Sequence, residues 1–182
     1  MYTLQFDGLF RRIHTETSEF SGIMCYGWLI FQDERMVAQG HGGYAHWKLA
    51  TSNGAEYLAL IAGLEALMEL KAFNELVIIQ GDAKSIIEQM QNQSLTHSPR
   101  IEQFHRQARK LCRNFKNVQW NWTPRRDNHP ADRLTRQALK QIRSSEPVYF
   151  APNGDQMVPP ESRKGLRPIL CLSTFDPNAV LQ

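Results

Sequence analysis

The 182-residue chain has only three cysteines, Cys25, Cys112 and Cys171, far apart and without CxxC spacing. A disulfide framework and a thiolate zinc site are therefore not implied, and a reducing compartment is the default. The six histidines show no zinc-like spacing either. No stretch approaches the ~20 apolar residues of a membrane span. The N-terminus runs straight into an alternating pattern, with no basic segment followed by an apolar one. These absences lead to the expectation of a cytoplasmic protein with no membrane partner. Acidic residues are scarce in one region: between Arg100 and Arg143 lie Arg106, Arg109, Lys110, Arg113, Lys116, Arg125, Arg126, Arg133, Arg136 and Lys140, opposed only by Glu102, Asp127 and Asp132. Such a local excess suits either a polyanionic partner, whose phosphates release counterions on contact, or a solvated helix face.

What is present is ample apolar residue, 42% of the chain, enough for one core. Tyr2, Leu4 and Phe6 alternate with Thr3, Gln5 and Asp7, the period of a strand that ends in a carboxylate. Gly8 to Gly22 reads as a polar connection. A hairpin follows, Ile23 to Phe31 and Met36 to Tyr44, turning through Gln32 to Arg35. Asn53 to Lys71 is rich in helix formers, with Ser52 or Asn53 as the N-cap and Glu56 in the first turn.

Leu76 to Ile79 is a continuous apolar run closed by Gly81 and Asp82, as expected of a strand buried on both faces. Helices follow from Ala83 to Met90 and from Pro99 to about Phe115, then a strand in which Val118, Trp120 and Trp122 share one side. That shared stripe favours a core role for the two tryptophans over base stacking; Trp47, beside His46 and Lys48, is the better candidate for a nucleic-acid contact. Ala131, Leu134, Ala138 and Ile142 mark a last amphipathic helix. The order predicts an α/β fold, a five-stranded mixed sheet flanked by helices, over residues 1–144. Six of the nine prolines fall in the remaining 145–182. That Pro-rich extension excludes regular helix or central strand, although the apolar run Arg167 to Phe175 is fit to pack on the body or to mediate self-association.

Four acids stand out. Glu56 heads a helix face continued by Leu60, Gly63 and Leu67, so a charge leads a surface that otherwise looks buried. Asp82 ends a central strand, where side chains of open sheets point into ligand crevices, or else caps the helix after it. Asp7 reads equally as a turn residue, and Asp132 as an early-helix acid. Their joint placement at two strand ends and two helix starts favours convergence. Clustered carboxylates repel unless cations neutralise them, and hard oxygen ligands select Mg²⁺ or Mn²⁺ over zinc. Two such ions about 3.5–4 Å apart can hold a scissile phosphate, activating a water and stabilising the leaving oxygen.

The segments Phe6-Asp7-Gly8, Thr51 through Leu64, Gly81-Asp82 and Pro124 through Leu134 together resemble type 1 ribonucleases H, in the branch that lacks a basic handle. The likeness spans about Met1 to Ser144 and implies a ribonuclease H-like catalytic domain. It implies endonucleolytic hydrolysis of the RNA strand of an RNA/DNA hybrid, giving 5'-phosphates, with Asp7, Glu56, Asp82 and Asp132 as ligands of two metal ions. It also implies that Ser52 and Asn53 touch the RNA strand through the minor groove, with Arg126 and Asn128 as further contacts. Arg125 best fits the position of a residue that assists product departure, with Arg126 and His129 as rivals. The segment Leu9 to Ser21, with Arg11, Arg12 and His14, departs from the short Gly-rich turn of that family, which bears on substrate preference. The alternative reading is a catalytically silent nucleic-acid-binding or assembly module of the same fold.

Overall fold

The computed structural model describes residues 1–13, 21–47, 50–95, 98–145 and 170–175. Strands β1 (Tyr2–Ile13), β2 (Ser21–Gln32) and β3 (Arg35–Trp47) form an antiparallel meander. The β2–β3 turn is tight because Asp33 takes a left-handed conformation, φ 55°, which short polar side chains tolerate. On the other side of β1, β4 (Leu76–Gly81) and β5 (Asn117–Trp122) join in parallel.

Among the described residues the sheet has six strands, in the order β5-β4-β1-β2-β3-β6, where the five-strand expectation fell one short. The sixth, β6 (Leu170–Phe175), comes from the Pro-rich extension and pairs antiparallel with β3. An edge position suits a proline-flanked apolar run, since only one side of its backbone enters the ladder. Residues 146–169 and 176–182 of the extension lie outside the described residues.

The expected connection from Gly8 to Gly22 is another correction. β1 continues to Ile13 and pairs with β2 as far as Ile13↔Ser21. The polar residues there do not prevent a ladder once a partner strand supplies the hydrogen bonds, and Arg11 and Arg12 are exposed at its end. Residues 14–20, including His14, lie outside the described residues.

Helix α1 (Ser52–Glu69) covers one face of the sheet, with helix α3 (Pro99–Cys112) packed on α1, and α4 (His129–Ser145) covers the other face. The strand period explains the split. Leu4 and Phe6 of β1 and Met24 and Ile30 of β2 pack with Tyr57, Leu60, Leu64 and Leu67 of α1. The alternate residues of β2, Ile23, Cys25 and Leu29, meet Ala131, Leu134, Ala138 and Ile142 of α4. Gly27 is what allows α4 so close: a Cβ there would lie 2.6 Å from Leu134 Cβ and 2.8 Å from the Ala131 carbonyl.

α1 is capped by Thr51, one residue earlier than expected, whose Oγ1 accepts from Gly54 N at 2.9 Å. Ser52 and Asn53 thus fall inside the first turn and are exposed. β4 alternates between buried and half-buried residues, with Val77 and Ile79 in the core, so it is sealed on one face and not on both as expected. α4 lies mainly over β1, β2 and β3. α2 (Lys84–Met90) is short and follows Ala83 directly.

Candidate active site

Asp7 lies in β1, beside the point where parallel β4 ends, and Asp82 follows β4 immediately. Glu56 lies in the second turn of α1, one turn later than expected because the helix already starts at Ser52, and Asp132 in the first turn of α4. Four segments distant in sequence thus meet at one end of the sheet. One carboxylate oxygen from each of Asp7, Glu56 and Asp82 lies within 4.8 Å of the other two. Asp7 and Glu56 are buried, and Asp82 is partly exposed.

The backbone sets these positions. Gly8 follows Asp7 and turns toward α1, where a Cβ would collide with the backbone of Ala55 and Glu56. With only hydrogen there, Gly8 N donates to Glu56 Oε2 at 3.0 Å. Asp82 does not cap α2 with its side chain: the cap residue is Ala83, and Lys84 N reaches the Asp82 backbone oxygen instead, at 3.0 Å. Its carboxylate is left for the site. The alternative reading of Asp82 as a helix cap is therefore set aside.

Asn128 has a different place from the one expected of a nucleic-acid contact. It is 1% exposed, so no substrate reaches it. Its Nδ2 donates to the Phe6 carbonyl at 2.9 Å and to Asp82 Oδ1 at 3.0 Å. One amide therefore joins β1, the Asp82 carboxylate and the entry to α4. Trp122 also differs from its expected core role: it is 51% exposed, and its indole N–H donates to the Asp82 carbonyl at 3.1 Å. Trp120 is half-buried against the core, while the side chain of Trp47 lies outside the described residues.

Asp132 adjoins the trio but is held apart. Arg136 grips it through Nε–Oδ2 at 2.6 Å and Nη2–Oδ1 at 3.2 Å, and Arg125 adds Nη2–Oδ1 at 3.0 Å. Thr135 Oγ1 lies 3.2 Å from Asp7 Oδ2 and 2.8 Å from the Asp132 carbonyl, linking the two acids. Arg136 was not singled out as a site residue in the sequence, yet its spacing of four after Asp132 is that of a helical ion pair. Among the rival turn residues, Arg126 pairs with Asp127 at 3.6 Å and His129 is exposed.

The electrostatics follow the geometry. Burial, then the nearby Asp82 and Asp132 charges, push the Asp7 carboxyl up to about 7. Burial first, and then Asp7 and Asp82, raise Glu56 well above the usual range. Asp132 moves the other way, lowered first by its hydrogen bonds from Arg136 and then by those from Arg125. Three acids crowded in low dielectric with few donors form a set of hard oxygen ligands short of positive charge. That donor set fits a divalent cation such as Mg²⁺ or Mn²⁺.

Residues 13–138 match the family described as reverse transcriptase-like. The chain belongs to the reverse transcriptase-like family. Within it, the fold is that of type 1 ribonucleases H. The N-terminal RNase H domain of Rv2228c from Mycobacterium tuberculosis superposes with a TM-score of 0.68 at 28% identity, over 80% of this chain and 97% of that one. The sequence of the bifunctional protein Rv2228c is 37% identical over 90 residues, 50% of this chain and 24% of that protein. RNase H1 from the halophilic archaeon Halobacterium salinarum gives a TM-score of 0.65 at 28% identity, over 77% of this chain and 98% of that one. A ribonuclease HI from Halobacterium salinarum is 33% identical over 119 residues, 65% of this chain and 57% of its own length. The chain thus spans about a quarter of the mycobacterial relative and just over half of the archaeal one. LC11-RNase H1, solved in complex with an RNA/DNA hybrid, shares the fold with a TM-score of 0.65 at 20% identity, over 78% of this chain and 99% of that one.

Proposed function

We propose that this member of the reverse transcriptase-like family is a divalent-metal-dependent ribonuclease H. It cleaves the RNA strand of RNA/DNA hybrids endonucleolytically and leaves 5'-phosphate and 3'-hydroxyl ends. The observation that carries the reading is the convergence of Asp7, Glu56 and Asp82, from three separate elements, to within 4.8 Å. Repulsion among buried carboxylates is a cost that a fold retains where a cation relieves it. Asp7, Glu56 and Asp82 would hold a first Mg²⁺ or Mn²⁺, and Asp132 would join them for a second. A metal held there would supply Lewis-acid activation of a water and charge stabilisation at the leaving oxygen.

The chain's own residues do the rest. Asn128 fixes the Asp82 carboxylate against β1, and Gly8 N–H fixes Glu56. Arg125, whose side chain is 67% exposed and which already reaches Asp132 at 3.0 Å, offers a guanidinium at the mouth for a departing phosphate. Ser52 and Asn53 are exposed at the start of α1, four and three residues before Glu56, where they can read 2'-hydroxyls beside the cleaved bond. A cytoplasmic location accompanies this reading; no helix among the described residues is long and apolar enough to cross a membrane.

The test is cleavage of an end-labelled RNA/DNA hybrid with Mg²⁺ or Mn²⁺, beside duplex DNA, duplex RNA, single strands and a chelator control. Metal-dependent cutting of the hybrid alone supports the proposal. Binding of hybrid without cleavage in either metal would replace it with the silent nucleic-acid-binding module, a reading favoured by the arginine pairs that already satisfy Asp132.

A further inference from the structure

The basic excess noted in the sequence resolves into two groups with different tasks. On α3, Arg109 donates to the Met90 carbonyl at 3.2 Å and to Asn92 at 2.6 Å, and Arg106 pairs with Glu102. Arg109 thus ties α3 to the end of α2, and Arg106 is paired within its own helix. On α4 the pattern differs. Arg136, Lys140 and Arg143 follow Asp132 at intervals of four, four and three, and at 100° per residue all four lie within about 80° of one helix face. No acid follows Asp132 in this helix. Among the described residues, neither Lys140 nor Arg143 forms an ion pair.

These side chains line an open groove of about 400 Å³, together with Leu139 and Ser144. Leu139 forms a buried floor, packed with Ile23 and Cys25 of β2 and Leu9 of β1. Arg143 is close enough to Cys25 for its charge to act on the thiol. On β1, Asp7, Leu9 and Arg11 share one face by strand alternation, and Arg11 is exposed beyond Leu9. A cationic groove with an apolar floor thus starts at the Asp132–Arg136 pair and runs along α4 away from the carboxylates.

We infer that this groove is a track for the sugar–phosphate backbone of the substrate strand as it leaves the cleavage site. The inference rests on the ribonuclease H reading above and extends it. From Arg136 to Arg143 is roughly 10 Å along the helix, the axial length of about three nucleotides at ~3.4 Å each. A polyanion is the occupant because the groove offers cations without acids and is continuous with a site built for a phosphodiester. Contacts of this kind position a substrate and carry no sequence information.

The experiment measures binding of a fluorescent RNA/DNA hybrid to the 182-residue chain by anisotropy across a salt series. An Asp7→Asn background with Mg²⁺ keeps the hybrid intact. Lys140→Glu/Arg143→Glu is expected to weaken binding about tenfold or more at low salt. The slope of log affinity against log salt should fall by roughly two, as for two lost phosphate contacts. Lys140→Gln/Arg143→Gln should show the same change of slope with a smaller loss, and circular dichroism should show both variants folded. The control pair Arg113→Glu/Lys116→Glu carries the same charge change at the opposite end of the sheet and should leave the slope unchanged. Equal slopes for the groove variants and wild type would overturn the track, as would an equal loss in the control pair. Hybrid cleavage by the unmutated chain, run in parallel, separates the outcomes. If it cuts and the slopes are equal, only the track falls; if it neither cuts nor binds, the function reading falls with it.

Discussion

The carboxylates of this site divide into two regions of opposite character. Asp7 and Glu56 are buried beside other acids, with one backbone N–H and one hydroxyl as their neighbouring donors, and both are raised. Asp132 also has little exposed surface, but it sits nearer the rim under two arginines and is lowered. Burial pushes all three carboxyls up, first of all at Asp7 and Glu56, and only at Asp132 do guanidinium donors outweigh it. The trio is crowded by its own negative charges, whereas Asp132 is gripped by two guanidinium groups. Under the proposed function, the first metal would fill a deficit and the second would compete with guanidinium.

The most severe way to test the division is to remove charge from the trio. Asp7→Asn or Asp82→Asn should lower hybrid cleavage by about 10³-fold or more, on the order of 4 kcal/mol in barrier, while circular dichroism remains that of the folded chain. Activity within tenfold of wild type in either variant would remove that residue from the ligand set. Asn128 comes next. Asn128→Ala leaves the buried Phe6 carbonyl without its side-chain donor and frees Asp82, at a cost of roughly 2–3 kcal/mol in urea unfolding. Asn128→Asp should cost more, because it replaces the donor with a charge facing Asp82.

The parts of this site that were legible in the sequence are those with a local signature. Glu56 at the head of an apolar helix face and Asp82 after an apolar run each mark an element end, and parallel β1 and β4 bring such ends together. The place of Asn128 was not legible, because a polar residue in a Pro- and Arg-rich turn carries no sign of the distant Phe6 carbonyl that buries it. The Arg136 grip was readable from i,i+4 spacing, but a basic run dilutes the signal of any one member. Trp122 shares a strand face with Val118 and Trp120, and burial falls away only because α2 and α3 leave that end of β5 open. The reach of β1 to Ile13 and the arrival of β6 depended on partner strands, which one-dimensional alternation does not reveal.

pH sharpens the comparison at smaller scale. For Asp7 the folded value, about 7, lies above the unfolded 3.8. The folded chain therefore holds the proton longer, and the associated stability, complete below pH 4, is lost as pH rises toward 7. Metal-free protein should be less stable at pH 8 than at pH 5, by on the order of 2 kcal/mol in urea unfolding. Millimolar Mg²⁺ should narrow the gap by binding the ionised form, and Asp7→Asn should flatten the metal-free profile. A profile as steep in Asp7→Asn as in wild type would assign the dependence to other groups.

The smallest expected effect bears on the other region. Arg136 is the first cause of the lowered Asp132 carboxyl, so Arg136→Gln should return that group toward its usual value, with Arg125 still in place. A lowered carboxyl stabilises the fold above its unfolded value and loses that contribution as pH falls through the folded one. The variant should therefore begin to lose stability at a higher pH on acidification. The difference should shrink in 0.5 M salt, since the Arg136 guanidinium is exposed and screened. Metal titration should move the opposite way: with one competitor gone, half-saturation by Mn²⁺, read by calorimetry, should fall by roughly threefold. An unchanged metal titration would place Asp132 outside the cation site and leave three carboxylates, not four, as its protein ligands.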